Sequence, residues 1–567
     1  MEYIIFIALV IVFVTAVIAK DIYNDRKKRR EFEKSLRNNY GKAQRKEFKP
    51  ERFLHVDAYY KKHPGEDMID DVTWNDLGMD EIYRVIDSTN SSAGDEYLYY
   101  CLRNVNKSEE ELSELEETIR FFDENEEERV YVQLLMAKMG YLGKFSLYDY
   151  LDHLDYLGER SNLKAYVSDA LLVACLAALP FCFQYAILGV VAVLIFNIVT
   201  YFREKSDIEP YVISFAYVIK MLDAAKKLLK LPGREKAKAL EKDLERMEAL
   251  RDHLKQLEKG SSLVLSKKGS LGGDPASLVM DYVKMTLHLD LIQFNRMLSF
   301  LRQNVQEVDE VNGILGRLET AIAIGSYRRA LEAKNGYCIP SSREGKAKEF
   351  CIEEAYHPLL SEPVKNSIDA TRGVLITGSN ASGKSTFLKT VAINAILAQT
   401  IHTCTAKRYE APFVRIYSSM ALRDDMESGE SYYIVEIKAL QRILNAINDA
   451  KRPVLCFVDE VLRGTNTVER IAASTQVLKS LCGPEVICFA ATHDIELTQL
   501  LKEEFDNYHF EEEIEDGDVI FKYQLLQGKA TTRNAIKLLE IMGYDEEIVR
   551  KASDMAKHFV DTGVWEG

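Results

Sequence analysis

Nine consecutive residues in the second half of the chain have the types and spacing of a phosphate-binding loop. The first eight fit the pattern G-x-x-x-x-G-K-[ST], and a threonine follows them. Glycines let backbone N–H groups turn towards phosphate oxygens, the lysine can reach the β- and γ-phosphates, and the serine hydroxyl can hold Mg²⁺. We therefore predict a nucleoside-triphosphate site. Its predicted residues are Gly378, Ser379, Asn380, Ala381, Ser382, Gly383, Lys384, Ser385 and Thr386.

The apolar residues on either side supply the elements that such a loop needs. Gly373–Thr377 is typical of a short buried strand, and Phe387–Gln399 has apolar residues at helical spacing. The predicted helix would turn its positive dipole end towards the phosphates. A chance glycine-rich turn is the alternative, but a strand before the loop and a helix after it disfavour that interpretation.

Two further apolar runs end in residues that could act on a bound phosphate. Val454–Val458 is followed by Asp459, which could hold magnesium, and by Glu460, which could orient and polarise a water. The run Val486–Thr492 delivers His493 to the same sheet edge, near the γ-phosphate. The predicted catalytic residues are Glu460, His493 and Lys384, and the predicted metal ligands are Ser385 and Asp459.

A further anion-binding element is predicted between the phosphate loop and the run Val454–Val458. Ser428–Ser431 opens a predicted helix over Tyr432–Ala446, so free N–H groups and the Ser431 hydroxyl could hold a phosphate. Its separation from the loop suggests a phosphate bound by a second subunit. A simple serine helix cap is an equally sufficient interpretation.

The composition limits the function classes. The 567 residues include nine scattered cysteines without a C-x-x-C pair, which suits a reducing cytosol. A formal charge of −15 argues against broad electrostatic binding to DNA, although a local basic surface remains compatible with it.

The N-terminus predicts a membrane anchor. Tyr3–Ala19 is uncharged and apolar, long enough for a short span, and is followed by Lys20 and the basic run Arg26–Arg30. A cleaved signal peptide is the alternative, but its positive charge would precede the apolar run. The positive-inside rule places the N-terminus outside and the rest in the cytoplasm, at the inner membrane, with the basic segment up to Lys49 against anionic headgroups.

A second uncharged stretch, Ala170–Phe202, predicts a helical hairpin in the membrane. We expect helices over Tyr166–Phe183 and Tyr185–Phe202 with a turn near Pro180–Gln184. A buried helix pair in a soluble core is the alternative. The sequence leaves open whether the hairpin crosses the bilayer twice or dips into it.

These signals divide the chain into six segments. Helical periodicity, for example over Asp80–Leu102, surrounds the hairpin, and strands alternate with helices after residue 345. The predicted segments are a transmembrane anchor (1–20), a basic juxtamembrane arm (21–69), a first helical part (70–165), the membrane hairpin (166–202), a second helical part (203–344) and an α/β nucleotide-binding domain (345–567).

Four stretches in this order resemble the ATPase domain of the MutS family: GSNASGKST, DDMESGESYYIVE, FVDEVLRGTNTVER and FAATHD. Glu354–Leu360 is similar to the "HP" stretch before that family's phosphate loop, and Tyr523–Ala552 to its C-terminal tail. Val72–Leu77 and Asp87–Gly94 resemble the start of its helical core and lever. The resemblance extends over about residues 70–560 and is strongest from 350 to 495.

The resemblance implies an α/β, ABC-type P-loop ATPase domain behind an all-α core and lever. It implies a homodimer that sandwiches two ATP molecules with Mg²⁺ and acts on DNA. Ser431 would complete the partner's site, and Arg463–Thr465 would lie at the dimer seam. Tyr356 or His357 would approach the adenine.

This chain also departs from the mismatch-repair members of the family. Residues 1–69 do not fit the domain whose Phe-x-Glu wedge reads a mispair, and Ala381-Ser382 replaces the usual Met-Gly. We therefore predict a membrane-anchored MutS-like ATPase that clamps DNA, without assuming mismatch recognition. The alternative is an ABC-type ATPase that acts on a membrane partner or a transport substrate. A scaffold without ATP turnover is not indicated, because Glu460 and His493 are both present.

Overall fold

The computed structural model describes residues 2–42, 45–265, 275–343, 349–379, 382–420, 432–448, 452–462, 466–515, 518–529, 535–562 and 564–565. The chain forms two compact units. The helical unit comprises Met1–His63, Asp87–Tyr100 and Glu117–Tyr327, and the α/β unit comprises Pro64–Ile86, Cys101–Glu116 and Arg328–Gly567.

The first 332 residues contain α-helices and short 3-10 turns in their described part. The helices are α1 (Glu2–Asn39), α2 (Pro50–Phe53), α3 (Ala58–Lys62), α4 (Asp71–Leu77), α5 (Met79–Ile86), α6 (Ser92–Arg103), α7 (Glu109–Glu124), α8 (Glu126–Met139), α9 (Leu147–Leu151), α10 (Leu163–Ala178), α11 (Phe183–Leu228), α12 (Glu241–Glu258), α13 (Ser261–Val264), α14 (Pro275–Leu287), α15 (Leu289–Gln303) and α16 (Val305–Glu332). This largely helical N-terminal part agrees with the prediction.

The predicted hairpin has a longer second helix than expected. α10 and α11 pack side by side, and the turn between them lies at Leu179–Cys182. α11 continues 26 residues past Phe202, because apolar residues such as Phe215 and Met221 are buried within the helical unit. Among the described residues, α11 alone is long and apolar enough to cross a membrane, and 17% of its most apolar window is buried.

The predicted anchor lies within one continuous helix. The backbone is helical throughout α1, so Tyr3–Ala19 and the basic run Arg26–Arg30 belong to the same element. The side chains of residues 26–30 are exposed.

Two cations of the predicted basic arm are inside the helical unit. The Lys46 ammonium donates to the Asp87 carboxylate at 2.8 Å, and the Arg52 guanidinium donates to Asp95 at 2.6 Å and to Glu96 at 2.8 Å. Buried cations need such partners because leaving water costs them several kcal/mol. The prediction that this segment lies against headgroups therefore does not hold for Lys46.

The α/β unit contains a four-stranded sheet, a six-stranded sheet and a two-stranded ribbon. Its strands are β1 (Ser341–Arg343), β2 (Phe350–Ala355), β3 (Asn366–Ala370), β4 (Gly373–Thr377), β5 (Arg408–Pro412), β6 (Arg415–Ser419), β7 (Val454–Asp459), β8 (Val486–Thr492), β9 (Phe505–His509), β10 (Glu512–Glu515), β11 (Asp518–Phe521) and β12 (Leu526–Gln527). Its later helices are α17 (Lys384–Thr400), α18 (Tyr432–Asn448), α19 (Thr467–Ser480), α20 (Leu497–Leu500), α21 (Ala535–Ile541) and α22 (Glu546–Thr562).

The six-stranded sheet brings the predicted site elements to one edge. Its order is β12-β9-β4-β8-β7-β6, with β12 antiparallel and the other neighbours parallel. Thr377 pairs with Thr492, and Asp459 pairs with Ala491, so β4, β7 and β8 end at the same level. Ligands of open α/β sheets bind at the carboxyl ends of strands, and this edge is therefore the place to look for chemistry.

Candidate active site

The loop between β4 and α17 has the backbone that only glycine adopts easily. Gly378 has a φ of +150°, and a Cβ there would lie 2.6 Å from the Phe510 carbonyl oxygen. Gly383 has a φ of +105° and directly precedes α17. Both glycines are therefore required by local geometry, one by a close backbone approach and one by the turn into the helix.

Lys384 and Ser382 hold this loop closed. The Lys384 ammonium donates to the carbonyl oxygens of Gly378 at 2.9 Å and Ser379 at 2.7 Å. The Ser382 hydroxyl donates to the Ser379 carbonyl at 2.8 Å. Lys384 is buried, whereas Ser385 and Thr386 are exposed at the start of α17. Asn380 and Ala381 lie outside the described residues.

Glu460 and His493 form a close pair across the ends of β7 and β8. The His493 Nε2 lies 2.7 Å from the Glu460 Oε1. Glu460 has a φ of +61°, and its N–H donates to the Ala491 carbonyl at 2.9 Å, so the strained backbone is fixed by the neighbouring strand. The buried Glu436, one turn into α18, accepts a hydrogen bond from the N–H of Leu462, which is two residues after Glu460.

Asp459 has the character of a metal ligand. Within the described part of the chain, its Oδ1 is buried and has no hydrogen-bond partner. An uncompensated buried carboxylate oxygen is costly, and a cation would satisfy it. Carboxylate and hydroxyl oxygens are the donors that Mg²⁺ prefers, so Asp459 and Ser385 fit this ion. Among the described residues, no group of three or more His, Cys, Asp or Glu side chains is arranged to hold a metal ion by itself.

One cavity of about 540 Å³ joins these elements. It is lined by the phosphate-loop residues Ser379 and Ser382 to Thr386 and by both members of the Glu460–His493 pair. Its volume is in the range of a small-ligand site. The structure therefore brings the predicted phosphate loop, Glu460 and His493 together around one space, whereas Asp459 is not among the lining residues.

The two residues considered for the adenine are placed differently. His357 lines the cavity, and burial lowers its pKa to about 4, helped by the charge of Lys389. A neutral imidazole results at physiological pH. The buried Tyr356 instead donates its hydroxyl to the Gly336 carbonyl at 2.5 Å, and burial raises its pKa to about 12. The cavity lining includes His357 and does not include Tyr356.

Residues distant in sequence also contact the cavity or its phosphate loop, and they lie outside the predicted phosphate-loop, acid and histidine motifs. Tyr523 lines it beside Gly383, and the Asn366 side-chain amide donates to the Tyr523 carbonyl at 2.9 Å. Glu512 accepts a hydrogen bond from the Ser379 hydroxyl at 2.8 Å. Tyr523 begins the tail stretch noted above, which was the one signal for it. Nothing in the pattern pointed to Asn366 or Glu512.

Some predicted residues cannot be placed. Ser431 and the stretch Arg463–Thr465 lie outside the described residues. Their predicted roles at a partner subunit remain expectations from the resemblance.

Fold and site together define an α/β domain with a phosphate loop, an acidic strand end and a histidine at one sheet edge. Residues 374–560 match the family model described as MutS domain V. This match confirms the resemblance to the MutS family for residues 374–560.

Individual proteins with sequences similar to this chain also belong to this family by name. The DNA mismatch repair protein MutS of Thermus thermophilus is 30% identical over 256 residues, which are 44% of this chain and 30% of that protein. The protein of the same name from Aquifex pyrophilus is 32% identical over 269 residues, which are 45% of this chain and 30% of that protein. The DNA mismatch repair protein MutS of Lactobacillus delbrueckii is 27% identical over 305 residues, which are 51% of this chain and 34% of that protein. The chain thus spans about a third of the length of these relatives.

Proposed function

We propose that this protein is a membrane-anchored MutS-like ATPase that binds and hydrolyses ATP with Mg²⁺. The composite sites of a homodimer would couple ATP binding to a conformational clamp on DNA. The observation that carries the proposal is the 2.7 Å contact between His493 and Glu460, in one cavity with the phosphate loop.

Each side chain has a role that its position supports. Lys384, at the loop carbonyls, is within the region where the β- and γ-phosphates would lie, and the N–H groups at the start of α17 face the same region. Asp459 and Ser385 would hold Mg²⁺, which neutralises phosphate charge when bound. Glu460 would orient and polarise the attacking water, and His493 holds the Glu460 carboxylate in place.

The dimer and DNA parts of the proposal rest on the family. Relatives that match 44% of this chain are named DNA mismatch repair proteins, which supports DNA as the partner. Mismatch specificity is not part of the proposal, because the matched region covers only 30% of such a relative. Ser431 would reach the nucleotide of the partner subunit.

The membrane part of the proposal rests on two apolar segments. Tyr3–Ala19 begins α1, and Ala170–Phe202 forms the hairpin of α10 and the start of α11. Most of the apolar window of α11 is exposed, which water disfavours and lipid favours. With positive charge after the first segment, the N-terminus would be outside and the α/β unit in the cytoplasm of the cell.

A second candidate function follows from the same exposed hairpin. The ATPase cycle could act on a membrane partner or transport substrate instead of DNA, because the hairpin belongs to the same chain as the ATPase domain. No charged residue occurs between Ala170 and Phe202 to mark a path for a polar substrate, which favours a partner protein over transport.

ATP turnover with different DNA structures separates the two functions. The full chain would be reconstituted in vesicles and its ATPase rate measured with homoduplex, mismatched and branched DNA at fixed salt. Stimulation by any DNA supports the clamp, and the preferred structure names its task. Turnover that no DNA changes supports the membrane partner. Absence of Mg²⁺-dependent turnover in every condition contradicts both.

A further inference from the structure

We infer that the hairpin of α10 and α11 enters the bilayer only part of the way, from one face, and keeps its tip in the hydrocarbon. The inference rests on the membrane part of the proposed function. It replaces two full crossings with a re-entrant insertion, and it names the lipid hydrocarbon as the occupant of this surface.

The exposed apolar surface surrounds the hairpin rather than forming one stripe. On α10, Leu171, Val173 and Leu176 are all exposed although helical rotation of 100° per residue places them on different sides. On α11, Ile187 and Phe196 are both exposed, and at 3.6 residues per turn they lie on opposite sides of the helix. A protein partner would cover one face, whereas hydrocarbon surrounds an inserted helix on all free sides. Lipid is therefore the better match.

A polar belt marks the base of the hairpin. The buried Asn197 accepts a hydrogen bond from the Ser168 hydroxyl and donates to the Thr286 carbonyl at 2.7 Å. One turn further along α11, the Thr200 hydroxyl lies 3.1 Å from the His288 Nε2. These contacts tie α10, α11 and the end of α14 together at one level.

α14 places a charged residue, Asp281, on the side of this belt that faces the tip. Thr286 pairs with Asn197 and His288 with Thr200, so α14 and α11 run in the same direction. Asp281 precedes Thr286 by five residues and lies about 7.5 Å closer to the tip at 1.5 Å per residue. Its side chain is 67% exposed, with Lys284 at 3.9 Å. A charged and exposed carboxylate belongs in water or among headgroups, so the hydrocarbon begins above it.

The remaining length is too short for a crossing. From Asn197 to the start of α11 at Phe183 are 14 residues, or about 21 Å of helix. Subtracting the 7.5 Å up to Asp281 leaves about 14 Å, against a hydrocarbon thickness of about 30 Å. Even the full 21 Å would not span the bilayer, and the leg on α10 is no longer.

The residues at the tip of the hairpin also favour a position in the hydrocarbon over one in water on the far side of the membrane. Backbone N–H groups inside hydrocarbon need partners within the protein, and in this turn Phe181 and Cys182 both donate to the Ala178 carbonyl at 3.0 Å. Here the turn Leu179–Cys182 carries no charge, and Phe181 within it is 89% exposed. Aromatic rings and a thiol without a charge are stable within the membrane. The tip therefore stays inside.

The exposed native thiol of Cys182 reports the position of the tip. Wild type and Cys182→Ser would be compared in intact, sealed vesicles with a membrane-impermeant maleimide added to either side, because the difference isolates Cys182 without disturbing the buried cysteines. We expect no difference from either side and a difference after detergent. Labelling from the side opposite the α/β unit would establish two crossings. Labelling from the side of the α/β unit would show that the hairpin is outside the membrane.

Protection by a protein partner or a second copy of the chain is distinguished by quenching. The tryptophan fluorescence of the Phe181→Trp variant would be measured in vesicles whose lipids carry bromine, a quencher, at shallow or deep positions of the acyl chains. We expect at least a twofold loss of the added fluorescence, with Leu163→Trp at the base as the unquenched control. A protected Cys182 together with an unquenched indole in the Phe181→Trp variant would mean that protein covers the tip, which overturns the inference. ATP turnover in the same vesicles is a separate readout, so failure of the inference and of the proposed ATPase remain distinguishable.

Discussion

The Glu460–His493 pair is the smallest feature from which the proposed chemistry can be tested. Glu460→Gln removes the negative charge that polarises water but keeps the size of the side chain. Because general-base assistance is typically worth 10²–10⁴-fold, we expect ATP turnover to fall by about 10²-fold or more while ATP binding persists. Single-turnover and equilibrium-binding measurements on the reconstituted protein separate the two effects.

The control is a carboxylate outside the cavity. Glu496, exposed at the start of α20, does not line the cavity, so Glu496→Gln should keep turnover within about twofold. Equal turnover in wild type and the Glu460 variant would refute the assignment of Glu460 as the catalytic base.

His357 makes a prediction about pH. Its folded pKa of about 4 lies below the ordinary 6.5, so the unfolded chain takes up the proton first as the pH falls. The stabilisation by neutral His357 is complete above pH 6.5 and is lost between 6.5 and 4, by at most about 3 kcal/mol. His357→Gln should therefore reduce the acid sensitivity of urea unfolding in this window. A His558→Gln change on α22 serves as the control, and identical pH profiles for wild type and His357→Gln would contradict the burial argument.

At the residue scale, local chemistry was predictable and distant contacts were not. Residues 378–386 are recognisable because the phosphate loop needs fixed types at fixed spacing. Glu512 reaches Ser379 from 133 positions away, and Asn366 reaches Tyr523 from 157. Such contacts depend on sheet order, which no periodicity encodes.

The phosphate loop as an element depends on the close approach of its first glycine. A Cβ on Gly378 would meet backbone at 2.6 Å, so Gly378→Ala must displace the loop. Gly543 also has a positive φ, +79°, but a Cβ there meets nothing within 4 Å. We expect Gly543→Ala to cost about 1 kcal/mol of stability and leave nucleotide affinity unchanged. Gly378→Ala should weaken binding of a fluorescent ATP analogue at least tenfold, and equal affinities would show that the loop adapts.

Helices and strands were predicted well where hydrophobic periodicity alone determines them. They were predicted less well where side chains form hydrogen bonds with backbone groups and interrupt a helix. The helical period over Asp80–Leu102 is broken between α5 and α6, where the Asp87 carboxylate accepts hydrogen bonds from the N–H and hydroxyl of Thr89. The basic composition around Lys46 likewise suggested an exposed arm. Its acidic partner Asp87 lies 41 residues away, and only the fold brings them together.

The whole molecule combines the proposed nucleotide site with two apolar segments that we propose enter the membrane. The segments lie at the start of α1 and at the tip of the α10–α11 hairpin, and each was visible in the sequence as an uncharged run. The depth proposed for the hairpin was not visible in the sequence, because it depends on the contact between Asn197 of α11 and Thr286 of α14. Two attachments give stable membrane binding where a single shallow one is marginal.

Removal of one attachment therefore tests the other. We expect the chain lacking residues 2–20 to stay in the membrane fraction after a high-salt wash, which removes only electrostatic binding. Adding Phe181→Lys to the shortened chain should release it, because a lysine in hydrocarbon costs about 2.5–3.5 kcal/mol, or about 10²-fold in partitioning. Leu163→Lys makes the same charge change at the base of the hairpin, where headgroups and water accept it, and should leave the shortened chain bound. A shortened chain that is fully soluble would show that α1 alone attaches the protein, and equal release by both lysines would place the whole hairpin at the same depth.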